Sequence, residues 1–124
     1  MMDMRQHINQ EYRDVTALIR LVEHLERAHQ DASVVNSADE LESDHMRFNS
    51  VAMDMMQVQE SAKRLSQEFV DGHPDLPWSE MRALRNVIVH QYDEIDVYKL
   101  YESATDDAER LLEQLLPHAE RLDG

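Results

Sequence analysis

The chain has 124 residues, enough for one compact domain (residues 1–124) and too few for a second. It holds no cysteine, which excludes disulfides, thiolate zinc sites and cysteine nucleophiles together. A formal net charge of -14 weighs against a general nucleic-acid binder.

Only two glycines and three prolines interrupt a composition rich in Glu, Gln, Arg, Leu, Met and Ala, so the expected class is all-α, built from a few long helices. No apolar run approaches the roughly 20 residues needed to span a bilayer. The opening MMDMRQHINQ lacks the apolar stretch of a signal peptide. The expectation is a soluble, cytoplasmic protein with no membrane association.

In chain order, apolar residues at helical spacing (Ile8, Tyr12, Val15, Leu18, Ile19, Val22 and Leu25) predict a first helix over 3–28. DASVVNSA, residues 31–38, breaks the pattern and reads as a loop. Ser37 followed by Glu40 has the form of a capping box and predicts the start of a second helix. That helix carries a stripe through Leu41, His45, Phe48, Ala52, Met55, Ala62, Leu65 and Phe69. His45 falls on the inward stripe and is expected as a hydrogen-bonded core or interface residue. The methionines of VAMDMMQV read as core or helix-interface filler. DGHPDLPW then punctuates the chain, and a third helix is predicted from Trp78 to His90 with Met81, Leu84, Val87 and Ile88 inward. Asp96 is the expected N-cap of a fourth helix, in which Tyr98 and Tyr101 pack and which Pro117 should end or kink. The pattern is an up-and-down four-helix bundle. Its apolar faces exceed what one small bundle covers, which points to a homodimer.

Charge is unevenly distributed. Residues 31–60 carry seven acids against the single base Arg47, and residues 101–124 carry seven against two. Between Ser61 and Tyr92 the count is four against four. Inside this balanced stretch lies RNVIVHQY, where Arg85, Asn86, His90 and Tyr92 crowd into eight positions. Asn86 and His90 share a helix face with Arg82. Arg85 and His90 are about 140° apart around an ideal helix, so a bend or a second copy of the helix is needed to aim both at one target. A histidine exchanges a proton near neutral pH, and an arginine offers a planar fork of donors to phosphate oxygens. That pair suits metal-independent RNA cleavage, with a base acting on a ribose 2′-hydroxyl and a cation at the crowded phosphate. The same residues also fit a plainer role, with His90 on the last carbonyls of a core helix and Arg85 reaching to solvent. Spacing alone leaves both readings open.

The string PWSEMRALRNVIVHQYDEID, residues 77–96, resembles the signature of the HepT-like toxins of the HEPN superfamily. The family motif of Arg, four residues, His, any residue, Tyr is met by Arg85, His90 and Tyr92, with Asn86 after the arginine. Pro77-Trp78 and Ile95-Asp96 match on either side, and ESAKRLS, residues 60–66, is similar to the family's second-helix segment. The chain departs from the pattern at Gln59, where the family has glycine, and at Asp93-Glu94, where it has Phe-Gly. Two carboxylates there oppose phosphate binding.

The resemblance implies a HEPN four-helix bundle and a homodimer whose motif helices share a cleft. It further implies a metal-independent endoribonuclease with RNA as substrate, His90 as general acid/base, Arg85 at the phosphate and Asn86 in support. The implied partner is an MntA-type nucleotidyltransferase antitoxin, which silences the toxin by AMPylation of Tyr92. A phosphate attached beside Arg85 occupies the anion site and repels RNA. No cofactor is expected, since there is no Gly-rich phosphate loop. No metal is expected either: His7, His24, His29, His45, His73 and His118 are scattered without ligand spacing. Two other classes stand beside this one: a catalytically silent module that docks and regulates a nucleotidyltransferase, and a plain helical dimerisation domain.

Overall fold

The computed structural model describes residues 4–84 and 95–123. All regular structure among them is helical. Helix α1 spans Met4–Ala32, α2 Ala38–Ser43, α3 His45–Lys63, α4 Gln67–Gly72 and α5 Trp78–Ala83. After Asp96 come α6, Val97–Glu102, and α7, Ala108–Asp123, joined by a π-helical turn at Ser103–Asp107. No helix among the described residues is long and apolar enough to cross a membrane.

The core forms along α1. Ala17, Leu18, Leu21, Val22, Leu25, Ala28 and Ala32 recur every three or four residues and are all buried. This stripe packs on α3 and α7, which present Val51, Met55 and Val58 and Leu111, Leu115 and Ala119. Leu25→Ala deletes a fully buried side chain and should cost about 2–5 kcal/mol.

The first helix runs one turn further than its pattern predicts. Ser37 caps the helix as expected, its Oγ accepting from the Glu40 N–H at 3.1 Å; the return bond of the box is displaced by one residue, with Glu40 Oε2 accepting from the N–H of Asn36 at 2.8 Å. The predicted second helix is divided into three. Its first break is at Asp44, whose carboxylate accepts from the Arg47 N–H at 3.1 Å and opens a new helix. The second is at Ser66, whose hydroxyl accepts from the Phe69 N–H at 3.1 Å. Both are short acceptors that offer the backbone a cap in place of the helical bond. The Asp44 break also corrects the reading of His45. It becomes the first residue of α3 and is exposed, while Val51, Met55 and Val58 take the inward positions. The methionines divide likewise: Met55 is buried, and Met46 and Met53 are exposed.

Arg47, the single base of the acidic 31–60 stretch, clasps this corner. Its guanidinium is paired with the Asp31 carboxylate, donates to the Asp31 carbonyl at 3.1 Å and reaches Asp44 at 3.2 Å. Asp14 makes a second tie. It is 3% exposed, and its carboxylate accepts from both the N–H and the hydroxyl of Ser66, at 2.8 and 2.7 Å. A buried acid thus fixes the start of α4 against α1. His24 Nδ1 lies 2.9 Å from Asp54 on α3, and His29 Nδ1 lies 3.0 Å from the Ala104 carbonyl.

Asp96 caps α6 as predicted, accepting from the Tyr98 and Lys99 N–H groups at 3.0 and 3.3 Å. Pro117 does not end the chain's last helix; it lies inside α7, on the exposed face. Tyr101 is half-buried, with its hydroxyl on the Val35 carbonyl at 3.0 Å. Tyr98 differs from expectation: it is 62% exposed and donates to Asp39 at 2.7 Å. That hydrogen bond, with the carboxylate's charge, raises the phenol above its ordinary value of 10.0.

Two outcomes check these ties. Asp14→Ala removes both Ser66 hydrogen bonds and the longer one from Gln10 and should lower unfolding stability by about 2–4 kcal/mol in urea titrations; a loss below roughly 0.5 kcal/mol would show the tie to be inert. In an alkaline titration followed by phenolate absorbance, Asp39→Asn should move the Tyr98 step downward, because it removes the acceptor that holds the proton.

Candidate active site

Arg85, Asn86, His90 and Tyr92 lie outside the described residues, as do Val87, Ile88 and the Asp93-Glu94 pair. The structure describes the residues on either side of them.

The upstream end is built by Phe69, His73 and Trp78. The ring of His73 lies 4.1 Å from that of Phe69, and its Nδ1–H donates to the Phe69 carbonyl at 2.8 Å. Trp78 meets Phe69 edge-on at 6.2 Å, and its indole N–H donates to the His73 carbonyl at 2.7 Å. The Pro-Trp pair singled out in the sequence thus starts α5 at a locked aromatic corner. Met81 and Leu84 are buried against the core, as predicted. Gln59, on α3, then donates from its side-chain amide to the Leu84 carbonyl at 2.8 Å. The residue immediately before Arg85 is consequently held in both its side chain and its carbonyl. At the downstream end, Ile95 packs on the core and Asp96 caps α6.

Beside the upstream end is a cavity of about 440 Å³, lined by Lys63, Leu65, Gln67, Trp78, Met81 and Arg82 among others. None of the described lining residues is an acid. A larger cavity, about 660 Å³, opens between α1, α4 and the end of α7, and its lining includes Glu11, Asp14 and Glu68. The larger one is apolar with an acidic fringe, so the smaller is the better match to an anionic ligand. Among the described residues no group of three or more His, Asp or Glu is arranged to hold a metal ion.

Sequence reasoning did not find Gln59 or Asp14 as positioning residues. Asp14 had a visible signal, since an acid four residues before Leu18 falls on the buried face of α1. Gln59 had none within the sequence itself, because its acceptor is a backbone carbonyl 25 residues away.

These features define a protein whose described residues form helices and whose Arg–His–Tyr motif lies between two well-fixed flanks. A family model described as Ribonuclease HepT-like matches residues 21–117, most of the chain and all of the motif, and the chain belongs to that family. Among curated proteins, it is 28% identical over 58 residues to "Putative RNase MJ1380" of Methanocaldococcus jannaschii, covering 47% of this chain and 53% of that protein. It is 32% identical over 50 residues to "Probable ribonuclease HepT" of Thermococcus cleftensis, covering 40% and 46% respectively. The matched stretch thus spans about half the length of these relatives. No solved structure matches the chain.

The hydrogen bond from Gln59 yields a local test. Gln59→Ala should raise amide hydrogen exchange at the α5 end, around residues 81–84, while leaving exchange in α1 unchanged. Equal protection in both proteins would mean that this bond does not hold the motif's entry.

Proposed function

We propose that this chain is a metal-independent endoribonuclease, the toxin of a type VII-like toxin–antitoxin pair acting in the cytoplasm. The carrying observation is membership of the Ribonuclease HepT-like family over a span that contains Arg85, Asn86, His90 and Tyr92 in the family's spacing.

In this reading His90 removes the proton of a ribose 2′-hydroxyl, and the oxygen attacks the adjacent phosphorus. The bond to the 5′-oxygen breaks, that oxygen takes up a proton, and the products are a 2′,3′-cyclic phosphate and a 5′-hydroxyl. Arg85 neutralises the charge that builds on the phosphate oxygens in the transition state, and Asn86 orients the pair. No step requires a metal. The chain adopts the up-and-down HEPN four-helix bundle and works as a homodimer, because Arg85 and His90 diverge on one straight helix and converge across two. An MntA-type nucleotidyltransferase is the antitoxin and places AMP on Tyr92.

A second reading is supported by two features of the sequence, the net charge of -14 and the acids Asp93 and Glu94 beside the motif. In it the chain is a catalytically silent module that docks and regulates a nucleotidyltransferase.

Purified wild type, incubated with RNA in the presence of a chelator, should produce cyclic-phosphate ends. Arg85→Ala and His90→Ala should each reduce the rate by about a hundredfold or more. If all three proteins leave the RNA equally intact, the nuclease reading is wrong and the docking module takes its place. After co-expression with an MntA-type enzyme, intact mass should rise in AMP-sized steps that disappear in Tyr92→Phe; an unchanged wild-type mass rules out control by AMPylation.

A further inference from the structure

The cavity between the end of α3, α4 and α5 differs from the rest of this acidic protein. The chain carries 26 acids and 12 Lys or Arg residues. The three other cavities described along its surface each have carboxylates in their lining: Glu11 and Glu68 in one, Asp39 and Asp44 in another, Glu23 in the third. This one has Lys63 and Arg82 and, among the described lining residues, no acid. Its volume of about 440 Å³ falls in the range of small-molecule sites.

The lining joins two chemistries. Lys63 and Arg82 are exposed cations on different helices, α3 and α5, facing one space. Lys63 is paired with Glu60 at 3.2 Å, but both side chains are more than half exposed, so the pair is weak and a phosphate displaces it readily. Arg82 makes no ion pair among the described residues and lies three positions before Arg85. The half-buried indole of Trp78 lines the same space, held by the His73 carbonyl and the edge of Phe69. A fixed aromatic beside two cations matches a nucleotide, with phosphate on the cations and base on the ring.

We propose that this cavity is a nucleotide subsite for single-stranded RNA, in which Lys63 and Arg82 take the phosphate and Trp78 takes the base of a nucleotide next to the cleaved one. The proposal rests on the ribonuclease reading for its substrate and adds where a strand is held beyond the reacting phosphate. It also accounts for how so acidic a chain binds a polyanion: the strand is gripped at one spared corner.

Trp78 is the sole tryptophan of the chain, so its fluorescence reports on this cavity. The probe is a single-stranded 2′-deoxyoligonucleotide, which lacks the hydroxyl that the proposed chemistry needs and so is bound without being cut. Titration of the full-length wild type should change the tryptophan signal saturably. Lys63→Gln/Arg82→Gln should weaken binding about tenfold or more. It should also lower the slope of log affinity against log salt by about 0.7 for each phosphate that the variant no longer neutralises. Arg27→Gln/Arg110→Gln removes the same charge from exposed positions elsewhere and should leave affinity near wild type. The proposal is overturned by a silent tryptophan, by equal weakening in both double variants, or by loss of binding that tracks a change of oligomeric state in sedimentation. RNA cleavage measured alongside separates the two readings. RNA cut by a protein whose tryptophan is silent leaves the nuclease standing and removes the subsite. Saturable, variant-sensitive binding with RNA left intact keeps the subsite and removes the nuclease.

Discussion

The apolar stripe of α1 is the surface on which the other elements are arranged. At 29 residues the helix is about 43 Å long, and its buried positions face α3 and α7 at once. Hydrophobic burial supplies attraction but little direction. Direction comes from polar groups spaced along the same helix: Asp14 on Ser66, His24 on Asp54, His29 on the Ala104 carbonyl and Asp31 on Arg47. Two of these join α1 to α3, one to the start of α4 and one to the π-helical turn, so the helix sets where along its length these neighbours are seated.

Such seating carries through to the motif. Ser66, held by Asp14, starts the short helix that brings Phe69 to Trp78. Trp78 begins α5, which ends at Leu84 under the amide of Gln59. The path from a buried acid on α1 to the residue before Arg85 is a series of local hydrogen bonds and ring packings. The larger cavity has a closer relation to Asp14 than to the motif, and its acidic fringe suits no phosphate.

Sequence reading succeeded where the determining chemistry is local. Ser37 and Asp96 were recognisable as caps because the acceptor and the N–H it serves are two or three residues apart. The stripe of α1 was recognisable because burial of one face repeats with the helical period. The breaks at Asp44 and Ser66 were not, since the apolar pattern from Leu41 to Phe69 runs on with only small shifts of phase. A cap inside a continuous pattern becomes decisive when a distant group engages it: Asp14 holds Ser66 directly, and Asp31 holds the Arg47 that pairs with Asp44. Pro117 does not end α7 for a related reason: the cost of a proline depends on whether the carbonyl it abandons is buried, and here that face is exposed. Of the candidate site, the motif and its family were readable in Arg85, His90 and Tyr92, whereas the supports at Gln59 and Trp78 depend on interactions between separate helices.

The π-helical turn at Ser103–Asp107 gives the C-terminal arm one residue more than a uniform α-helix would contain. There the Ala108 N–H bonds to the Ser103 carbonyl, five residues back, which takes from Ala104 its usual partner, and His29 stands 3.0 Å from the oxygen so released. The turn is therefore a point where the arm tolerates a change of length. Losing one residue within it would restore a plain helix and leave the buried positions on either side, Leu100 before it and Leu111 and Leu115 after it, in phase. The same deletion anywhere else in the arm would rotate half of that apolar face toward water. What the shortened arm would give up is the acceptor for His29, so the extra residue serves attachment of the arm to α1 and not its helicity.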